Sequence, residues 1–273
     1  MKLKDKVALI TGGGTGIGTA IARRFVSEGA RICITGRRKE LLEQVARSLP
    51  SGSVVTCAGD VSKYDDVQLM VKTVLEFGNR LDVLVNNAGM DPPGTVVDVD
   101  PELWRKVVEV NLTGPFLLMK AFIPHMIKVG GGSIINIASL AGLRCLPAMP
   151  AYCSSKAGLI MLTKQVALDY GRYNIRCNVV CPGAVRTEML ENSIGHLAEV
   201  MNTDLNSAFK YFSSNVPLRR VSKPDEIPGV CTYLASDDSS FMTGAALVID
   251  GGASIVDVSG AAVSSMGMNW GDK

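Results

Sequence analysis

Two histidines, His125 and His196, are all that the 273 residues contain, and no C-x-x-C pair accompanies them. Metal ligation usually draws on such groups, so no metal site is expected. The seven cysteines (Cys33, Cys57, Cys145, Cys153, Cys177, Cys181 and Cys231) are odd in number and sit mostly in apolar, strand-like runs. That pattern fits small buried hydrophobes in a reducing compartment and excludes a disulfide framework. Charge of one sign is also lacking: the formal net charge is +2, with no field to draw nucleic acid or an anionic membrane. No uninterrupted apolar run reaches the roughly 20 residues of a membrane span. The start, Met1 to Lys6, leads into the short apolar run Val7 to Ile10, too brief for the core of a secretory signal. A cytoplasmic protein is expected.

What the chain does have is glycine, 28 residues of it, within an ordinary globular composition that is 47% hydrophobic. The apolar stretch Lys6 to Thr11 runs directly into Gly12-Gly13-Gly14-Thr15-Gly16-Ile17-Gly18. A helix with Ile17, Ile21, Phe25 and Val26 on one face follows. Strand, glycine turn and helix are the context of a dinucleotide fingerprint. There, glycines admit a pyrophosphate close to the backbone, and the free amides of the helix start hold it. The glycine spacing is T-G-x-x-x-G-x-G, not the commoner G-x-G-x-x-G.

A second strand, Arg31 to Thr35, ends in Gly36-Arg37-Arg38. Many such units place an acidic residue here for the adenosine ribose. Arg37 and Arg38 instead suit a 2′-phosphate, which a guanidinium grips through two hydrogen bonds. The expected cofactor is therefore NADP(H), with NAD(H) as the alternative. The third strand closes on Asp60-Val61. A carboxylate there either accepts from an adenine amino group or serves as a turn residue. The fourth ends in Asn86-Asn87-Ala88-Gly89, and the fifth, Gly132 to Ala138, ends at Ser139.

The long helical stretch from Pro101 to about Lys128 carries Asn111, Gly114 and Pro115 in its middle. These are poor helix formers and predict a kink that frees backbone carbonyls. Tyr152 and Lys156 stand four residues apart in a later helix and share one face. A phenol beside an ammonium is a proton-transfer pair, and the charge can lower a phenol pKa by about 1–3 units. Taken alone, the same spacing fits surface packing.

A sixth strand leads into Pro182 to Thr187. From 188 to 220 no strand pattern appears, and the apolar residues there suit a substrate lid. A last strand precedes Asp250-Gly251-Gly252, and residues 255–273 read as a tail. About seven strands alternate with helices, so a single α/β domain over 1–254 is expected: a Rossmann-type, doubly wound parallel sheet with helices on both faces. Each feature singled out falls at a strand's carboxyl end, where such sheets bind ligands.

With Thr11-Gly12 to Gly18, Asn86 to Gly89, Asn111, Ser139, Tyr152 and Lys156 in order, the chain resembles the short-chain dehydrogenase/reductase family over roughly residues 5–254. The resemblance implies hydride transfer between a nicotinamide and a secondary alcohol or ketone. It implies that Gly12, Thr15, Gly16, Ile17 and Gly18 line the pyrophosphate turn, and that Asp60 and Val61 flank adenine. Asn86 and Asn87 shape the cofactor bed, and Val185 and Thr187 belong to the stretch that holds the carboxamide end. It assigns Tyr152 as proton donor and Lys156 to the nicotinamide ribose, lowering the Tyr152 pKa. Ser139 then bonds the substrate oxygen, and Asn111 holds a relay water. It also implies a homotetramer built from the long helices and the last strand. The tail, with Met266, Met268 and Trp270, is expected to pack across a partner subunit.

For the substrate, Met90, Leu143, Leu146 and Met149 are expected to line an apolar pocket with the lid. That suits a small cyclic or otherwise apolar carbonyl compound. A carrier- or CoA-bound 3-oxoacyl thioester is the alternative. The loop Lys128-Val129-Gly130-Gly131-Gly132-Ser133 holds one lysine where such reductases carry a basic run. A dinucleotide-binding sensor without turnover is a further reading, at odds with a complete Ser, Tyr and Lys set.

Overall fold

The computed structural model describes residues 1–257 and 259. Seven strands form one sheet: β1 Val7–Thr11, β2 Arg31–Gly36, β3 Val54–Ala58, β4 Val83–Asn86, β5 Gly132–Ile137, β6 Ile175–Pro182 and β7 Ala246–Ile249. Their order is β3-β2-β1-β4-β5-β6-β7, and every pairing is parallel. The winding reverses between β1 and β4, where Ile10 is in register with both Ile34 and Val85. In an open sheet of this kind, that switch point is where a crevice opens at the carboxyl ends.

Alternation along the strands sends side chains to two separate cores. Val7 and Leu9 join the layer containing Met70, Val74 and Phe122; Ala8 and Ile10 join the one containing Ile21, Phe25 and Leu234. The first layer is covered by α3 Tyr64–Gly78, α5 Gly114–Lys128 and α6 Pro150–Tyr170. The second is covered by α1 Gly16–Ser27, α2 Lys39–Arg47 and α9 Pro228–Ala235. Phe25 and Phe122 are fully buried, and each such side chain contributes about 1.5–3 kcal/mol relative to exposure. Both faces are covered, which is why strands such as VALIT are apolar throughout rather than alternating.

The stretch Pro101–Lys128 is long and apolar enough to cross a membrane, with a mean hydropathy of 1.3. In the fold its apolar face is accounted for: Leu118, Met119, Phe122 and Met126 are buried in the core. The expected kink takes the form of a π turn, Glu109–Thr113, between α4 Pro101–Val108 and α5. Pro115 has no N–H to return to the carbonyl of Asn111 four residues back, so the regular ladder cannot continue there.

The stretch expected to form a substrate lid consists of α7 Glu188–Val200 and α8 Leu205–Phe212, packed on each other through Ile194, Ala198, Ala208 and Phe209. It has a small core of its own, apart from the two layers of the sheet. The expected packing of Met266, Met268 and Trp270 lies outside the described residues.

Candidate functional site

The glycine turn between β1 and α1 is shaped by close approach. A Cβ on Gly18 would stand 2.1 Å from the carbonyl oxygen of Gly12, and one on Gly12 would stand 2.8 Å from Asn87 Nδ2. Only glycine fits at either place. Thr15 caps α1 without a side-chain bond to its amides, and no acidic residue lies in the first turn. Those amides, at the positive end of the helix dipole, suit an anion. Thr187 faces Gly16 across the turn: a Cβ on Gly16 would touch its Cγ2 at 3.0 Å. Ile17 packs into the core below, and Val185 is buried behind Thr187.

Asn87 ties this turn to the end of β4. Its Nδ2 donates to the carbonyl of Thr11 at 2.9 Å, while Thr11 Oγ1 accepts the N–H groups of Asn87 and Ala88. Asn86 does something else. It is buried inside the sheet, its Nδ2 donating to Asn136 Oδ1 at 2.7 Å, so its side chain braces β4 against β5 rather than lining the cofactor bed.

At the far end of the crevice, Arg37 and Arg38 are exposed. Arg38 is held by Glu188, the first residue of α7, at 3.3 Å, and approaches Thr15 Oγ1 at 3.5 Å. Asp60 is a turn residue: its Oδ1 accepts from the N–H and hydroxyl of Ser62. Burial opposes its charge, but the Ser62 bonds, with Lys106 and Arg37 nearby, outweigh that and hold its carboxyl below the usual range. Val61 is buried against Gly114.

Ser139, Tyr152, Lys156 and Asn111 converge beyond the ends of β4 and β5. Gly142 lets the short turn Leu140–Gly142, capped by Ser139, lie directly on α6, since a Cβ there would meet the Lys156 backbone at 2.8 Å. Ser139 lies close enough to the Tyr152 phenol to hold its pKa down in part. Lys156 is buried, donates from Nζ to the carbonyl of Ile137 at 2.9 Å, and lies 5.7 Å from the centre of the Tyr152 ring. Asn111 is fully buried and holds Met90 through two 2.9 Å hydrogen bonds, with a third to Ser155 Oγ at 3.1 Å.

The electrostatics correct one expectation. Burial pushes the Tyr152 phenol up to about 12, aided by the charges of Asp91 and Cys153, and the nearby Ser139 only partly offsets this. Burial also brings Lys156 down to about 8, against the pull of Asp91 and Cys181. Desolvation disfavours each charged form. It exceeds the lowering expected from Lys156, whose ammonium is turned to a backbone carbonyl.

Asp91 was not among the residues singled out from the sequence. It is half-buried, its carboxyl is pushed up to about 6 by burial, and the charge of Lys156 partly offsets that. An acid directly after Asn-Asn-Ala-Gly-Met and before two prolines was the available signal. Met90 packs its side chain onto the core, whereas Leu143 and Leu146 are exposed on a loop beyond Ser139. Among the described residues no cluster able to hold a metal occurs. All seven cysteines are free thiols; Cys145 is exposed and Cys153 half-buried.

The residues thus fit a dinucleotide: an uncapped helix start, a glycine cradle, and Gly89, where a Cβ would lie 3.4 Å from Lys156 Nζ. Comparison with known proteins agrees. A family described as Enoyl-(Acyl carrier protein) reductase matches residues 12–254. Meso-2,3-butanediol dehydrogenase of Serratia marcescens is 37% identical over 94% of this chain and 98% of its own. Trans-4-hydroxycyclohexanecarboxylate dehydrogenase of Sinomonas cyclohexanicum is 40% identical over 92% of this chain and 93% of its own. The crystal structure of levodione reductase superposes with a TM-score of 0.88 at 34% identity, covering 93% of this chain and all of that one. The chain belongs to the short-chain dehydrogenase/reductase family, oxidoreductases that act on CH–OH groups with a nicotinamide dinucleotide.

Proposed function

We propose that this chain interconverts a small, uncharged secondary alcohol and its ketone, cyclic or otherwise apolar, preferring NADP(H) over NAD(H). The observation that carries the reading is the Tyr152 phenol. It lies beside Ser139, stands one helical turn from Lys156, and is held protonated beside a cradle suited to a dinucleotide.

The nicotinamide, when bound, supplies or accepts the hydride. In reduction the Tyr152 hydroxyl donates its proton to the oxygen of the substrate carbonyl, and Ser139 donates a hydrogen bond to the same oxygen as charge develops. A phenol that stays protonated at neutral pH is ready for this direction. Lys156 stands behind the phenol and favours the phenolate that proton loss leaves. Asn111 contributes through its backbone: its side chain is committed to Met90 and Ser155, whereas Pro115 offers its carbonyl no N–H, so a relay water is assigned to that carbonyl. Arg37 and Arg38 favour a 2′-phosphate.

The assembly proposed is a cytoplasmic homotetramer. Exposed apolar residues support it: Met161 and Leu168 on α6, and Phe241 before β7, are 63%, 78% and 106% exposed.

A second reading, reduction of a carrier-bound 3-oxoacyl thioester, is favoured by the description of the matching family. The single lysine in the loop 128–133 weighs against it. Oxidation of NADPH and NADH against cyclic, aliphatic and thioester ketones separates the two. Turnover only with thioesters would replace the first reading by the second. Binding of NADPH with no oxidation by any ketone would leave a dinucleotide-binding sensor.

A further inference from the structure

Hydride transfer uses no thiol, yet two of the seven stand at the rim of the site. The other five, Cys33, Cys57, Cys177, Cys181 and Cys231, are buried, and burial pushes each of them up and keeps it protonated. Cys145 is exposed on the loop that follows the Ser139 turn. Cys153 is half-buried at the start of α6, directly after Tyr152.

One hydrogen bond fixes how the two stand. The Leu146 N–H donates to Cys153 Sγ at 3.4 Å. In a planar trans peptide this N–H lies on the same side as the Cα of the preceding residue, here Cys145. An N–H aimed at the sulfur therefore sets the Cys145 Cα about 4 Å from Cys153 Sγ. The bond lengths and angles of a disulfide put each Cα about 3.5–4.5 Å from the opposite sulfur. The backbone already stands where a bridge needs it, and only the exposed Cys145 side chain has to turn about its Cα–Cβ bond. The loop is held in this shape from outside. Arg144 donates to the carbonyl of Ala253 at 3.1 Å, and the N–H of Gly94 donates to that of Ala148 at 2.8 Å, where a φ of 54° turns the chain back toward α6.

We propose that Cys145 and Cys153 are a modification site, a dithiol that hydroperoxides convert to a reversible disulfide beside Tyr152. The peroxide O–O bond breaks at the exposed Cys145: one oxygen joins the sulfur as a sulfenic acid, and the other leaves as water or an alcohol. The Cys153 sulfur then attacks that of Cys145. The S–S bond forms, the S–O bond breaks, and the hydroxide leaves with the Cys153 proton as water. Two electrons have passed from the two thiols to the peroxide, and a thiol reductant returns them by exchange. Such a bridge is transient and belongs to no structural framework. Its effect on catalysis rests on the carbonyl-reducing reading. Leu143 and Leu146 are exposed, so the loop has to move to bring them onto an apolar ketone, and a loop tied to α6 does not close.

The test treats the reduced, full-length protein with a small excess of hydrogen peroxide. Intact mass should fall by two hydrogens, digestion should yield the Cys145 and Cys153 peptides joined, and dithiothreitol should reverse both. Tm of the bridged protein should rise by about 3–8 °C, as closing a short loop requires. For a cyclic ketone, kcat/KM should drop about 3–30-fold and return with dithiothreitol. Cys145→Ser should keep its basal activity, form no bridge and show no rise in Tm under the same treatment. Addition of oxygen without a bridge, a bridge to another cysteine or another copy, or no reaction where glutathione is oxidised overturns the proposal. A bridged protein with unchanged kcat/KM overturns the effect on catalysis. Since the bridge is read by mass, absence of turnover with every ketone overturns the carbonyl-reducing reading alone.

Discussion

Asn111 and Met90 are joined by a two-sided clamp: Asn111 Oδ1 accepts the Met90 N–H and Asn111 Nδ2 donates to the Met90 carbonyl, each at 2.9 Å. This fixes the β4 loop to the π turn, and so fixes Asp91 relative to Tyr152. Asn111→Leu leaves two backbone groups of Met90 without partners, each costing about 1–3 kcal/mol. Denaturant unfolding should show a loss of about 2–4 kcal/mol, and kcat should fall with it. Asn111→Asp keeps the acceptor for the N–H but turns a second acceptor to the Met90 carbonyl in a fully buried place, so it should restore little of the loss. Wild-type stability in Asn111→Leu would mean that the clamp holds nothing.

Tyr152→Phe keeps the ring and removes the proton. General acid catalysis contributes about 10²–10⁴-fold, and kcat should fall by that range. Dinucleotide affinity, read by nucleotide fluorescence, should change less than about threefold, since the ring keeps its packing. Full turnover would remove Tyr152 from its proposed role.

Much of this was legible in the chain because the features are local. The β1 turn announced itself by glycines whose Cβ atoms would collide, and the π turn by Gly114 and Pro115 in a helix. Asn86 was misplaced because a residue at a strand's end can face the crevice or the neighbouring strand, and only the β4–β5 register puts Asn136 opposite it. The direction of the Tyr152 shift was also out of reach. Spacing shows that Lys156 is near, but not that burial outweighs its charge or that its ammonium turns to Ile137. Asp91 escaped for the same reason: the loop that carries it is placed by Met90 and Gly94, whose partners Asn111 and Ala148 lie far along the chain.

Lys156 predicts a trade of stability for function. Burial lowers its folded value from 10.5 to about 8, so between those values the unfolded chain binds more protons than the folded one. Its contribution to stability therefore rises with pH across that window, and at pH 7 the buried charge is a full cost. Lys156→Met removes the cost but leaves the Ile137 carbonyl without its donor, for a net gain of about 1–2 kcal/mol at pH 7. Thermal unfolding should show the variant more stable at pH 7, an advantage that closes toward pH 10, while turnover is lost. An advantage independent of pH would contradict a lowered Lys156 value.

Arg38 and Glu188 make the proposed cofactor preference testable at the start of α7. The guanidinium meets both carboxylate oxygens at 3.3–3.4 Å, with both side chains more than half exposed. Such a pair is worth about 0–1 kcal/mol, and a 2′-phosphate with nearly two charges competes with it. Glu188→Gln should therefore tighten NADPH binding by up to about fivefold and leave NADH unchanged, because the arginine no longer has to be drawn away. Arg38→Ala should weaken NADPH about 10–100-fold, with Arg37→Ala acting in the same direction, and change NADH less than about threefold. The NADPH advantage should shrink as salt rises from 0.05 to about 0.5 M, since both arginines are exposed to screening. If Arg38→Ala weakens both dinucleotides equally, the arginines do not read the phosphate. The Glu188 contact would then fasten the start of α7 and nothing more.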